Sequence, residues 1–245
     1  MAEKVARVIR KDTLTPEVLE IEAEWVSPPE VGFRTGQFLS LRCGDGGDTR
    51  RSYSIASLPD DKRRFELLVK LVPVGVGSDL FRGLSVGDEL HATGPMGFFV
   101  LELAHPGDAL FAATGSGIAA ALPMIEETLA RPAEQGKVLL YWGMRDKAEL
   151  YWLDRIEKLK HPRFELHICL SRPEADLPLS EPFQRGRITS PVLERVPSLV
   201  KPTVYLVGNG DMVRELRNEL VAIGLDRRRQ IRTEVFYPAT TRDGG

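Results

Sequence analysis

Two rhythms divide the chain. In the first, apolar and polar positions alternate or run as continuous β-type stretches: VARVIR (5–10), VLEIEAE (18–24), FLSLRC (38–43), FELLVKLV (65–72) and DELHAT (88–93). Turn-forming residues separate these runs, at Pro28-Pro29, 44–48, Pro59-Asp60-Asp61 and 83–87, and one short helix fits 78–83. RRSYSIAS (50–57) reads as a further, otherwise buried strand that carries two arginines, a tyrosine and three serines. Strands of this number and spacing predict a small antiparallel barrel or sandwich.

After Gly97 the rhythm changes. ALFAATG (109–115), KVLLYWG (137–143), FELHICLS (164–171) and TVYLVG (203–208) have the apolar continuity of strands buried on both faces. Helical periodicity follows at 118–131, 149–160 and 211–223, while proline-rich 173–197 predicts loops and one short helix. Strands alternating with helices predict a doubly wound α/β layer with a parallel sheet. The expected fold is therefore a β-barrel domain, 1–98, followed by an α/β domain, 107–245, with the boundary at 98–106.

Composition narrows the classes. A chain of 245 residues, 42% apolar, is long enough for two cores, and a net charge of −2 gives no global basic field for nucleic acid. Lys62-Arg63-Arg64 and Arg227-Arg228-Arg229 read first as solvated surface, second as a docking patch for an acidic partner. Two distant cysteines, Cys43 and Cys169, exclude a four-thiolate zinc or iron–sulfur site within this chain, and His91, His105, His161 and His167 lack metal spacing, so no metal is expected. Both cysteines lie in apolar stretches and are expected to be small buried side chains. MAEKVARVIRKD lacks the apolar core of a signal peptide. The most apolar segment, 109–125, is broken by Thr114, Gly115, Ser116, Gly117 and Pro123. The expectation is a cytoplasmic, monomeric protein without a membrane span.

Parallel sheets bind ligands at the carboxyl ends of their strands, near a reversal of strand order. There ATGSGIAAA (113–121) places Gly115 and Gly117 between strand and helix, either as a plain turn or as a diphosphate site on helix N–H groups. VGNGDMV (207–213) repeats the arrangement, with Asp211 as a candidate N-cap. Arg145, Arg172 and Arg187 also follow strand ends. Each alone is surface charge; converging, they suit a phosphate dianion such as the extra phosphate of NADP.

Together these motifs resemble the ferredoxin–NADP reductase superfamily over nearly the whole chain. The resemblance rests on GQF (36–38), RSYS (51–54), GVGS (75–78), GPMGFF (94–99), ATGSGIA (113–119), YWGMR (141–145), SRPE (171–174), GRIT (186–189), VYLVGNGDMV (204–213) and EVFY (234–237), in that order. It implies a flavoenzyme that passes electrons between NADPH and a ferredoxin or flavodoxin, with FAD bound and NADP ahead of NAD. By resemblance Arg51 neutralises the FAD diphosphate, Tyr53 stacks on the isoalloxazine, and Ser54 hydrogen-bonds near flavin N5. Gly75, Val76, Gly77 and Ser78 also serve the diphosphate, and Ser52, Ile55, Val69, Lys70 and Leu71 line the flavin side. Thr114, Gly115, Ser116, Gly117, Arg145, Ser171, Arg172, Arg187, Gly208, Asn209 and Met212 line the nicotinamide nucleotide. Ser54, Glu234 and Phe236 are the implied catalytic set, with Phe236 covering the flavin face; the plainer reading has Phe236 and Tyr237 sealing the sheet edge. The tail, 239–245, is expected to be disordered.

The chain also departs from the family pattern. Val207 replaces a frequent cysteine, Gly210 replaces a frequent proline, and Ala120 precedes a later Pro123 that is expected to kink the helix or close its first turns. These changes bear on nicotinamide binding, not on the fold. Two alternatives stay open: the reductase component of an oxygenase or a free-flavin reductase, and a flavin electron-transfer subunit with a vestigial NAD(P)H site.

Overall fold

The computed structural model describes residues 2–44, 49–102, 107–131, 136–175 and 178–236. His105, most of the 44–48 turn, Tyr237 and the 239–245 tail lie outside the described residues.

Alternating side chains build the first layer. A hairpin of β1 (Lys4–Thr15) and β2 (Val18–Ser27) is followed by β3 (Phe38–Cys43), β4 (Thr49–Ser54), β5 (Arg64–Lys70), α1 (Val76–Gly83) and β6 (Glu89–Met96). The strands are antiparallel in the order β4-β3-β6-β1-β2-β5. The two ends of that order meet: Ile55 bridges Leu67, and the Ala56 N–H donates to the Glu66 carbonyl at 2.8 Å, so the sheet closes into a barrel. Every second residue of β3, namely Leu39, Leu41 and Cys43, points inward and is buried. Ile21, Phe65, Leu67 and Leu90 join Leu39 and Leu41 in the interior, with Phe81 of α1 packed against them.

The second layer is a six-stranded parallel sheet. It comprises β7 (Ala109–Thr114), α2 (Ile118–Leu129), β8 (Val138–Met144), α3 (Leu153–Glu157), β9 (Phe164–Leu170), β10 (Phe183–Arg185), α4 (Thr189–Arg195), β11 (Thr203–Asn209), α5 (Gly210–Ala222) and β12 (Ile231–Phe236). The order β10-β9-β8-β7-β11-β12 runs outward from β7 and then returns to β11 on its other side. The order therefore reverses between β7 and β11, the position where such sheets hold ligands. Helix α2 lies between the sheet and the barrel: ten of its twelve residues are buried, so it is apolar nearly all round. Its cluster takes in Val18, Ala56, Leu68 and Phe99 from the barrel side, and makes one continuous core across the two layers. Pro123 sits inside α2, and the helix runs on to Leu129.

Several expectations change. The helix expected over 149–160 shrinks to α3, behind a single turn at Lys147–Glu149 capped by the Asp146 carboxylate, which accepts from the Ala148 N–H at 2.7 Å. Trp152 interrupts the periodicity with a left-handed φ of 56°. Two edge strands, β10 and β12, were not anticipated; β10 falls in the stretch read as loops and one helix. Strand β4 is not a buried strand, because it ends the sheet order and exposes Thr49, Arg51 and Ser52. Cys43 and Cys169 are buried and form no disulfide, and the two basic runs are exposed. Among the described residues no helix is long and apolar enough to cross a membrane.

Candidate functional site

At β4 the two arginines separate. Arg50 turns back to the sheet: its guanidinium donates to the Ser40 carbonyl at 3.1 Å, to Thr93 Oγ1 at 2.9 Å and to Glu3 at 2.9 Å. Arg51 is exposed, and the one hydrogen bond of its side chain among the described residues goes to the Arg50 carbonyl. Tyr53 is half-buried, with its ring edge-on to Phe81 at 4.9 Å, and Ser54 and Ile55 are buried behind it. Burial pushes the Tyr53 phenol up, with the neighbouring Cys43 adding to the shift, so it stays a neutral hydroxyl.

Helix α1 starts against this pair. A Cβ on Gly77 would overlap the Tyr53 hydroxyl and lie 3.3 Å from the Arg51 side chain, so glycine alone lets the helix N-terminus approach so closely. The first-turn N–H groups of Val76 and Gly77 thus lie near the Tyr53 hydroxyl and the aliphatic stem of Arg51, at the positive end of the helix. Ser78 has another partner: its Oγ accepts from the Val72 N–H at 2.9 Å and staples the loop that leads into α1. Nearby, Val69 is buried in the barrel, Lys70 lies 3.7 Å from Glu17, and the Leu71 N–H donates to the Glu17 carbonyl.

At the reversal of strand order, the ends of β7 and β11 are locked together. Thr114 Oγ1 accepts from the Asn209 N–H at 2.8 Å. Gly208, at φ +122°, passes so close that a Cβ would overlap Thr114 Oγ1. Gly115, Ser116 and Gly117 form one 3-10 turn into α2, and the Trp142 indole N–H holds the Gly115 carbonyl at 3.1 Å. Asn209, not Asp211, caps α5: its side-chain oxygen accepts from the Asp211 and Met212 N–H groups. Asp211 instead pairs with Arg214, and Met212 is buried.

The three arginines follow the carboxyl ends of β8, β9 and β10. The Arg172 N–H donates to the Arg145 carbonyl at 2.7 Å, and the Gly186 N–H to the Leu170 carbonyl at 2.8 Å, which ties the three strand ends together. Arg145, Arg172 and Arg187 are exposed, and none makes a side-chain hydrogen bond or ion pair to the described residues. Ser171 turns its hydroxyl to the Met144 carbonyl at 3.2 Å.

On the edge strand β12, Glu234 lies level with Val207 and Phe236 with Asn209. Glu234 is half-buried and has no hydrogen-bond or ionic partner among the described residues, so burial pushes its carboxyl above the usual range. Phe236 packs against the cluster that joins α2 to the barrel. Sequence reasoning missed Trp142, Asn209 as a cap, and the polar groups of the seam between the layers; of these only the cap had a signal, an Asn three residues before Met212 at a helix start.

A barrel with a glycine-opened helix end, joined to a parallel sheet with two glycine loops at its reversal point, has the architecture of a two-domain nucleotide-binding oxidoreductase. Residues 6–101 match the model of the oxidoreductase FAD-binding domain, and residues 111–218 that of the oxidoreductase NAD-binding domain. The chain belongs to the ferredoxin–NADP reductase superfamily. It is 30% identical over 243 residues to the reductase component of propane 2-monooxygenase from Mycolicibacterium goodii, covering 96% of this chain and 66% of that one. It is 34% identical over 170 residues to ferredoxin–NADP reductase B of Sorangium cellulosum, covering 68% and 69%. The crystal structure of the Amycolatopsis cytochrome P450 reductase GcoB superposes with a TM-score of 0.86 at 30% identity, covering 98% of this chain and 71% of that one. The chain thus spans just under two thirds of the propane monooxygenase component's length.

Proposed function

We propose that the chain is a reductase that takes electrons from NADPH and hands them to a one-electron carrier protein, a ferredoxin or flavodoxin, with FAD held by residues 1–98 and the nicotinamide nucleotide by residues 107–245. The single observation that carries this reading is the approach of the α1 N-terminus, through Gly77, to Tyr53 and the exposed Arg51. That arrangement fits FAD: an anion needs unpaired donors, and a flat ring needs an aromatic wall. When bound, FAD supplies acceptance of two electrons as hydride and their release one at a time.

The residues divide the remaining work. Arg51 and the Val76 and Gly77 N–H groups bind the flavin diphosphate, while Tyr53, with Ser52, Ser54 and Ile55 beside it, orients the ring. Val69, Lys70, Leu71, Gly75 and Ser78 shape the surrounding wall. Thr114, Gly115, Ser116, Gly117, Gly208, Asn209 and Met212 seat the nicotinamide nucleotide at the strand reversal. Arg145, Arg172 and Arg187, with Ser171, read the ribose phosphate, which favours NADP over NAD; three exposed cations without side-chain partners among the described residues support that preference. Phe236 shields the ring face and moves aside for the nicotinamide. Ser54 tunes the reactive edge, and Glu234, whose burial makes it hold a proton more tightly, passes that proton on.

A second reading, the reductase component of an oxygenase, draws support from the propane 2-monooxygenase relative. A vestigial nucleotide site fits less well with the exposed arginine trio. Anaerobic mixing of the purified yellow protein with NADPH or NADH tests the proposal. Prompt bleaching of the flavin band, faster with NADPH, is expected; no bleaching with either would defeat it. Turnover with a ferredoxin, a flavodoxin and the iron–sulfur or oxygenase components of related systems then separates the two readings.

A further inference from the structure

The polar seam between barrel and α/β layer centres on a side chain that the proposed function leaves unused. Arg155, on α3, is gripped from both layers. Its Nε and Nη2 donate to the Glu126 carboxylate of α2 at 3.1 and 3.3 Å, and its Nη1 donates to Glu66 of β5 at 3.1 Å. Nη2 also reaches the Ala56 carbonyl at 3.4 Å. The guanidinium lies 5.0 Å from the centroid of the Trp152 ring, and the Trp152 indole N–H donates to Glu20 of β2 at 2.7 Å. Arg10 of β1, 2.8 Å from Glu20 and 3.7 Å from Glu66, balances the carboxylates on the barrel side.

Three features set this seam apart from ordinary surface pairing. Arg155 meets acceptors from two separate elements, and its planar fork fixes their relative direction as well as their distance. Trp152 is held in a left-handed conformation that a bulky residue adopts only when its surroundings enforce it. The chain positions also matter: Ala56 lies two residues beyond Ser54, and Glu126 belongs to the helix that begins at the Gly115–Gly117 turn. One guanidinium thus joins β5 and the segment just after the flavin-motif strand to the helix of the nucleotide loop. The apolar contacts between the layers resist separation, but apolar burial is non-directional and leaves sliding less restrained.

We propose that Arg155, oriented by Trp152, is a positioning residue that sets the spacing between the flavin and nicotinamide halves of the site. This rests on the function proposed above. Hydride transfer tolerates little displacement, and a misplacement of about 1 Å can cost about a hundredfold in rate.

The test compares wild type, Arg155→Met, Arg155→Lys and Trp152→Phe. Stopped-flow flavin reduction at saturating NADPH is measured beside FAD stoichiometry, NADP affinity and hydrogen exchange. Arg155→Met should slow reduction by about tenfold to a hundredfold. FAD content and NADP affinity should stay within about twofold, while exchange quickens in peptides spanning 55–70 and 118–129. Arg155→Lys should recover part of the rate, and Trp152→Phe, which keeps the ring and loses the N–H, should lose several-fold. A reduction rate within about twofold of wild type in Arg155→Met would overturn the proposal, as would a loss of cofactor affinity large enough to account for the slower rate. If Arg155→Met does not fold, Trp152→Phe decides by the same criteria. If wild type takes up no flavin, the proposed function fails separately, and unchanged exchange across the seam in the variants overturns the coupling role.

Discussion

Arginine does opposite work in two regions of this molecule. Along the seam and past the end of α2 it is engaged from inside: Arg10 and Arg155 bridge carboxylates, and Arg163 donates to the carbonyls of Thr128, Leu129, Arg131 and Gly136. At the carboxyl ends of β8, β9 and β10, Arg145, Arg172 and Arg187 stand exposed with no side-chain partner among the described residues. A cation engaged by several internal acceptors holds the fold together. One left open can take a phosphate without first breaking a protein contact. Count and composition do not distinguish the two groups; their partners do.

The largest expected contrast comes from removing one member of each group. Arg155→Ala strands Glu126 in partly buried surroundings and leaves Glu66 with only the longer Arg10 contact, at 3.7 Å, and should destabilise the chain by roughly 2–3 kcal/mol. By the usual scaling that lowers Tm by about 5–10 °C, read by calorimetry on the flavin-loaded protein. Arg172→Ala should do the reverse. It should leave stability within about 0.5 kcal/mol and weaken NADPH binding by about tenfold, the loss of a charge-assisted contact, with NADH binding almost unchanged. Equal weakening for both nucleotides would remove the phosphate role.

A smaller effect separates the regions by screening. Raising salt from about 0.1 M to about 1 M shortens the Debye length from about 10 Å to about 3 Å. NADPH affinity, titrated at each salt concentration, should fall several-fold as the exposed trio is screened. The seam, partly sheltered from solvent, should hold its hydrogen-exchange protection. Loss of that protection at high salt would place the seam among ordinary surface pairs.

The smallest expected effect concerns a carboxyl that neither group of arginines neutralises. Burial raises the Glu234 pKa above its usual 4.5, so the folded chain binds that proton more tightly than the unfolded chain. The stabilisation is present below about pH 4.5 and is lost as pH rises through the raised value, so the ionised form weighs against the fold at neutral pH. Glu234→Gln should therefore raise Tm at pH 7 by about 1–3 °C, with the gain fading on acidification, while slowing electron transfer. A lower Tm at neutral pH would contradict the desolvation account.

Much of the fold was legible because its periodicities are strong. FLSLRC alternates and becomes β3, and ALFAATG and TVYLVG are continuously apolar and become the central strands β7 and β11. The edges were less legible. In β12, Arg232 and Glu234 interrupt the apolar pattern, and β10 has only three residues. The helix over 149–160 failed for a tertiary reason: Trp152 leaves helical geometry where its indole reaches Glu20, 132 residues away. The glycines at the ends of β7 and β11 were readable as strand-end loops, but Asn209 displaced the expected Asp211 cap because its side chain reaches two N–H groups at once. The seam around Arg155 had no local signature, since its partners come from β5, α2 and the segment after β4.

The central claim is that a flavin dinucleotide rests where Gly77 admits the α1 N-terminus to Tyr53 and Arg51. A crystal structure of the chain grown with excess FAD tests it most directly. One FAD per chain is expected, its diphosphate on the Val76 and Gly77 N–H groups and the Arg51 guanidinium, and its ring against Tyr53. Density that leaves this cleft empty, or closed by the chain's own side chains, would contradict the claim.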